Sequence, residues 1–162
     1  MSRDGYFYVY FIVNGGVSVA RARVSDVVQN ALSGNGTAFT KYSNGSFSQP
    51  GLGGNASTIM TGTCQWMDVA YDSHIDKYVM VLVASNDLWI TCSDDGVGNW
   101  SSRQLVESDP GESFYPTIVG IGQDPKIIDS SQFNVYYTYS LQGAWNRWSD
   151  AVLLRRLIAV GQ

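Results

Sequence analysis

Asp68 is the residue whose setting most clearly invites chemistry. It interrupts an apolar stretch, Trp66-Met67-Asp68-Val69-Ala70, that reads as a β-strand. A carboxylate in such a strand is hydrogen-bonded, paired with a cation, or kept neutral. Kept neutral, it is a general acid or the modulator of one. Bonded to a neighbouring backbone, it is a structural tie, and the sequence leaves both readings open. Glu112, in Gly111-Glu112-Ser113-Phe114-Tyr115, sits on a loop entering a later strand, as a second candidate acid–base group or as a solvated loop carboxylate. Arg155 and Arg156 fall on opposite faces of a strand by alternation, so only one can face a ligand or a carboxylate. Arg155 is the candidate. His74 stands in a polar turn with neither a second His nor a Cys beside it, which gives no metal-ligand pattern. No cofactor motif is present; Gly51-Leu52-Gly53-Gly54 lacks the Lys-Ser/Thr of a phosphate loop.

The elements that must position these residues repeat about every fifty residues, the period of blade-like β-units. Tyr6-Phe7-Tyr8-Val9-Tyr10-Phe11 is echoed by Tyr78-Val79-Met80-Val81-Leu82-Val83 and by Phe133-Asn134-Val135-Tyr136-Tyr137-Thr138. Trp100-Ser101 before Leu105-Val106 is echoed by Trp148-Ser149 before Val152-Leu153-Leu154. The middle repeat reads as a four-stranded antiparallel meander: residues 64–71, 77–84, 88–92 and 103–106. The first repeat begins at its second strand (6–13), turns at Asn14-Gly15-Gly16 and returns over 17–24. Ser25-Asp26 then caps a short helix through Leu32, and 39–42 forms an outer strand. The third runs 115–121, 133–140 and 152–160. The expectation is all-β: one domain, 1–162, of about three propeller-type blades (5–55, 62–108 and 113–161) with one short helix, an incomplete ring of about ten strands. No strand precedes Tyr6 in this reading, so bare edges predict a homo-oligomer.

Composition agrees with β-structure. Aromatic residues make up 13 % and charged residues 15 %, the latter well below the usual quarter, with Gly and Tyr filling the difference. A net charge of −4 without a basic cluster excludes nucleic acid as the expected partner. No apolar run is long enough to span a membrane. The chain as it stands shows no signal peptide, which points to the cytoplasm. Cys64 and Cys92 fall on strands separated by a third, beyond disulfide reach, and read as free thiols. The glycosylation-type triplets at Asn35, Asn44, Asn55 and Asn99 read as turns.

Several segments together resemble the C-terminal half of five-bladed β-propellers of the family-43-like and sialidase-like glycoside hydrolases. They are residues 42–54, Val69-Ala70-Tyr71-Asp72 with Lys77–Val81, Ser93-Asp94-Asp95-Gly96 with Trp100-Ser101, residues 115–120, and residues 148–156. Ser93-x-Asp95 with Trp100 looks like the Asp-box turn of sialidases, with Val97 where that turn prefers Gly. The resemblance implies a carbohydrate partner, Asp68 and Glu112 as catalytic carboxylates, and Trp66, Tyr115 and Arg155 as substrate contacts. Aromatic faces suit the apolar faces of sugar rings, although core packing accounts for either aromatic as well. Related enzymes are often secreted. Such hydrolases work with two or three carboxylates, one of them from a first blade that is missing here. The expectation is therefore a carbohydrate-binding or catalytically incomplete chain, the alternative being a non-enzymatic module whose copies pair to cover open blade edges.

Overall fold

The Asn14-Gly15 pair forms the tight hairpin its chemistry predicts. Both residues are left-handed, at φ 51° and 79°, and they join strands whose last pair is Val13 with Gly16. Two central residues at positive φ define the turn whose twist matches that of the flanking strands. Asp4-Gly5, Asn44-Gly45 and Ser85-Asn86 repeat the device between Arg3 and Tyr6, Ser43 and Ser46, and Ala84 and Asp87. These turns set the register of most of the hairpins below.

The computed structural model describes residues 2–108, 110–142 and 148–161. The chain divides into two compact units, Met1–Gly62 and Thr63–Gln162. It is mostly β, in antiparallel sheets of which one curls into a half-barrel. In the first unit β1 (Ser2–Arg3), β2 (Tyr6–Val13), β3 (Gly16–Arg23), β4 (Thr40–Ser43) and β5 (Ser46–Pro50) form one antiparallel sheet in chain order. Contrary to expectation, a strand does precede Tyr6: the Asp4-Gly5 turn folds Ser2 and Arg3 back onto Phe7 and Tyr6. Helix α1 (Val24–Leu32) follows β3. Its expected cap is also corrected. The helix starts where β3 ends, so Arg23 holds the cap position; its guanidinium carries no acceptor atom and makes no cap bond, while Val24 N–H is taken by Gly5 O at 2.9 Å.

In the second unit β6 (Trp66–Asp72), β7 (Lys77–Ala84), β8 (Asp87–Ser93) and β9 (Gln104–Glu107) form the four-stranded antiparallel meander that the sequence predicts. Strand β10 (Glu112–Gly120) leads to β11 (Ile127–Ile128), which adds to the edge of β6 in parallel. Strands β10, β12 (Gln132–Ser140) and β13 (Val152–Ala159) make a third sheet in that order. The described residues thus hold thirteen strands, more than expected, the additional ones being β1, β5 and β11.

The two sheets of the second unit share one core. Val79, Val81, Val83 and Leu88 from the first meet Ile118, Phe133, Val135 and Tyr137 from the other. Strand β7 is buried on both faces, as its unbroken apolar run predicts.

At the β6–β7 turn Asp72 is fully buried. Its Oδ1 accepts the N–H groups of His74 (2.9 Å) and Ile75 (3.3 Å), while Oδ2 has no hydrogen-bond partner among the described residues. Burial pushes its carboxyl above the ordinary value of 3.8, outweighing the two N–H donors. The native state therefore binds this proton more tightly than the unfolded chain. Above the raised pKa the ionised group costs stability, and that cost vanishes as pH falls toward the unfolded value. Asp72→Asn keeps the turn acceptor and removes the charge. Its stability advantage over the wild type, or its deficit, should shift in favour of the wild type on acidification. Melting curves of both proteins from about pH 8 to about pH 4 check this, and parallel curves would refute it.

Candidate functional site

Strand β10 is broken by a bulge between Phe114 and Thr117, and at the break Tyr115 has φ 50°. Left-handed backbone at a bulky residue is an outlier that costs about 1–3 kcal/mol and persists only when its surroundings impose it. The bulge turns the Tyr115 ring out of the sheet, where it remains 44 % exposed. There it meets Trp66 from the start of β6, ring centroids 4.4 Å apart and planes tilted by 52°. Trp148, in the short 3-10 turn Trp148–Asp150 before β13, lies nearly parallel to Tyr115, at 6.2 Å and 16°. Buried Phe114 supports Trp148 from below at 6.3 Å. Trp148 is itself half exposed. Three aromatic rings thus cluster here, Tyr115 and Trp148 exposed and Trp66 partly buried against the core.

Beside this cluster lies a cleft of about 290 Å³ lined by Trp66, Met67, Asp68, Tyr115, Pro116, Thr117 and Lys126. Asp68 is half-buried at its edge. Its Oδ1 accepts Val69 N–H and its Oδ2 accepts Ile118 N–H, both at 2.9 Å. Strand β10 is the outer strand of its sheet, so the Ile118 N–H would otherwise lack a partner. Asp68 supplies one across the gap between β6 and β10.

The other candidates lie apart from the cleft. Glu112 opens β10 opposite Ser140 and is not among the lining residues. Arg155 is exposed on β13 opposite Tyr136. Arg156 is the arginine that faces a carboxylate, pairing with Glu107 at the end of β9. The structure therefore brings Trp66, Asp68 and Tyr115 together, adds Trp148 and Lys126, and leaves Glu112 and Arg155 outside. In the sequence Trp148 stands out only through the Trp-Ser echo and the 148–156 segment; its stacking on Tyr115 has no local signal.

The Ser93–Gly98 turn is closed by its own side chains. Ser93 Oγ accepts the N–H groups of Asp95 and Gly96, and Asp95 Oδ1 accepts those of Val97 (2.8 Å) and Gly98 (2.7 Å). Burial alone would raise the Asp95 carboxyl, but the Gly98 and Val97 N–H donors and the Ser93 hydroxyl hold it below the ordinary value. Val97 is tolerated because the left-handed positions of the turn are Gly96 and Asn99. His74 gives only its backbone N–H to Asp72 among the bonds described for it. Among the described residues no group of three or more His, Cys, Asp or Glu is placed to hold a metal, and no helix is long and apolar enough to cross a membrane.

Comparison with protein-family models finds no match to this chain, and comparison with curated proteins finds none either.

Proposed function

We propose that the second unit binds carbohydrate on the Trp66–Tyr115–Trp148 surface, and that it binds without hydrolysing. The carrying observation is the left-handed Tyr115. Its backbone is strained, its ring packs against Trp66 and Trp148, and the residue still keeps 44 % of its surface open to a ligand. Adjacent aromatic faces with polar groups alongside suit the mixed apolar and hydroxylated faces of a sugar. The cleft, near the small end of ligand sites, has room for about one ring against Asp68, Thr117 and Lys126. Hydrolysis of a glycosidic bond calls for two carboxyl groups across the bond. The cleft lining offers one, Asp68, and both of its oxygens already accept backbone N–H groups. The propeller reading belongs to the same proposal. Its support is the β6–β9 meander, the sheet packed against it, and the Ser93–Asp95 turn at its corner.

The test is a glycan array followed by titration of the best ligand. Tyr115→Gly relieves the backbone strain and removes the ring. It should lower affinity about tenfold or more while leaving the melting temperature unchanged or higher. Trp66→Ala should weaken binding to a similar degree. Absence of binding across the array, or a Tyr115→Gly variant that binds as the wild type does, would overturn the proposal.

A second reading, self-association, is favoured by β13. It is the outer strand of its sheet among the described residues, with Leu153 70 % and Leu157 57 % exposed. An exposed edge strand is a template for strand pairing, here with Arg155 between the two leucines. Light scattering should then report a dimer that Leu153→Lys converts to monomer; a monomeric wild type removes the reading.

A further inference from the structure

The first unit carries a separate groove of about 1110 Å³. Cross-strand register aligns its floor: Val9 pairs with Ala20, Ala20 with Lys41, and Lys41 with Gln49, so the four side chains share one face of the sheet. Phe11 and Val13 extend that face along β2. One wall comes from residues 37–39 and the other from Pro50, Gly51 and Leu52. The walls are tied where Gly51 N–H bonds Phe39 O at 2.8 Å. A side chain at Gly51 would bring its Cβ to 2.7 Å from that oxygen, so glycine is what lets the two lips meet.

Charge in this groove is one-sided. Lys41 is the sole ionisable side chain in the lining, which otherwise consists of apolar, Thr, Ser, Gln and Gly residues. Its Nζ donates to Gly54 O at 2.9 Å and lies 5.9 Å from the centre of the Phe11 ring. An ammonium group carries three protons, so one carbonyl leaves donors over for a second partner. Apolar walls with a single cation and no carboxylate fit a ligand with an apolar body and one anionic head.

We infer that this groove is a binding site for a small amphiphilic anion, such as a medium-chain carboxylate, with its head at Lys41 and its chain along Val9, Phe11 and Leu52. The inference is independent of carbohydrate binding, because no residue is shared between the two sites.

The probe is 1-anilinonaphthalene-8-sulfonate, an apolar anion, titrated into the full chain and displaced by decanoate or by decyltrimethylammonium below their micelle concentrations. Saturable binding of one probe per chain is expected, with decanoate displacing it at a concentration about tenfold lower than the cation of equal chain length. Lys41→Met should bring the two displacers within about twofold of each other while the apolar probe still binds. Leu52→Glu, at a lip position 95 % exposed and so neutral for folding, should weaken decanoate and leave the cation unaffected or improved. Non-saturable probe binding would overturn the inference. So would equal potency of the two displacers on the wild type, or a decanoate preference that survives both substitutions.

Discussion

Phe133→Ala is expected to cost the second unit about 3–5 kcal/mol, the range for deleting a buried aromatic ring and leaving a cavity. Phe133 is fully buried at the start of β12, within the core shared by both sheets of that unit. A loss of this size is a large share of the roughly 5–15 kcal/mol by which a domain is stable. Since the chain forms two compact units, the denaturant profile of the variant should separate into two transitions. The earlier would report the second unit, followed by the fluorescence of the five tryptophans, all of which belong to it. A single unshifted transition would mean that the core described for this unit does not carry its stability.

Asp68→Ala is expected to destabilise the protein by about 1–3 kcal/mol, because it leaves the Ile118 N–H without its acceptor in a partly buried gap. Asp68→Asn retains one carbonyl oxygen and should recover part of that loss. The pair of variants separates a structural tie from a group acting on a ligand. If Asp68 serves mainly to hold β6 against β10, sugar affinity should follow thermal stability across Asp, Asn and Ala. If its charge contacts the ligand, Asn will lose affinity while keeping its fold. Thermal melts set beside binding titrations distinguish the two outcomes. Equal stability of all three proteins would show that the bond to Ile118 contributes nothing measurable.

What could be read in advance follows from how local each signal is. Tyr6–Val13 and Lys77–Ala84 were placed without error because long apolar β-rich runs between turn residues admit no helix of comparable quality. Strand β5, Ser46–Pro50, is half polar and short, and Asn44-Gly45 before it reads equally well as the turn of a loop. Strand β11 is two residues whose identity as a strand depends wholly on Tyr71 and Asp72, far away in the chain. The same limit governs the site. Asp68 stands out as a carboxylate in an apolar segment, whereas Trp66 and Tyr115 enter only as aromatics that the resemblance places against a sugar. The bulge that exposes Tyr115 and the stacking of Trp148 on it are tertiary facts, with no propensity to announce them. For Arg155 and Arg156, alternation showed that they oppose each other across β13. Only the position of Glu107 decides which of them is paired.

Cys64 lies just ahead of Trp66, with its thiol directed to the Trp66 carbonyl at 3.7 Å. Burial pushes that thiol up to about 11 despite the opposing influence of Arg103, so near neutrality it stays protonated and a poor nucleophile. Alkylating reagents should therefore reach it chiefly when β6 comes away from its surroundings. Cys92, half-buried on β8, provides an internal comparison. The rate at which Cys64 is modified, set against that of Cys92, should therefore time the opening of the segment that leads into β6.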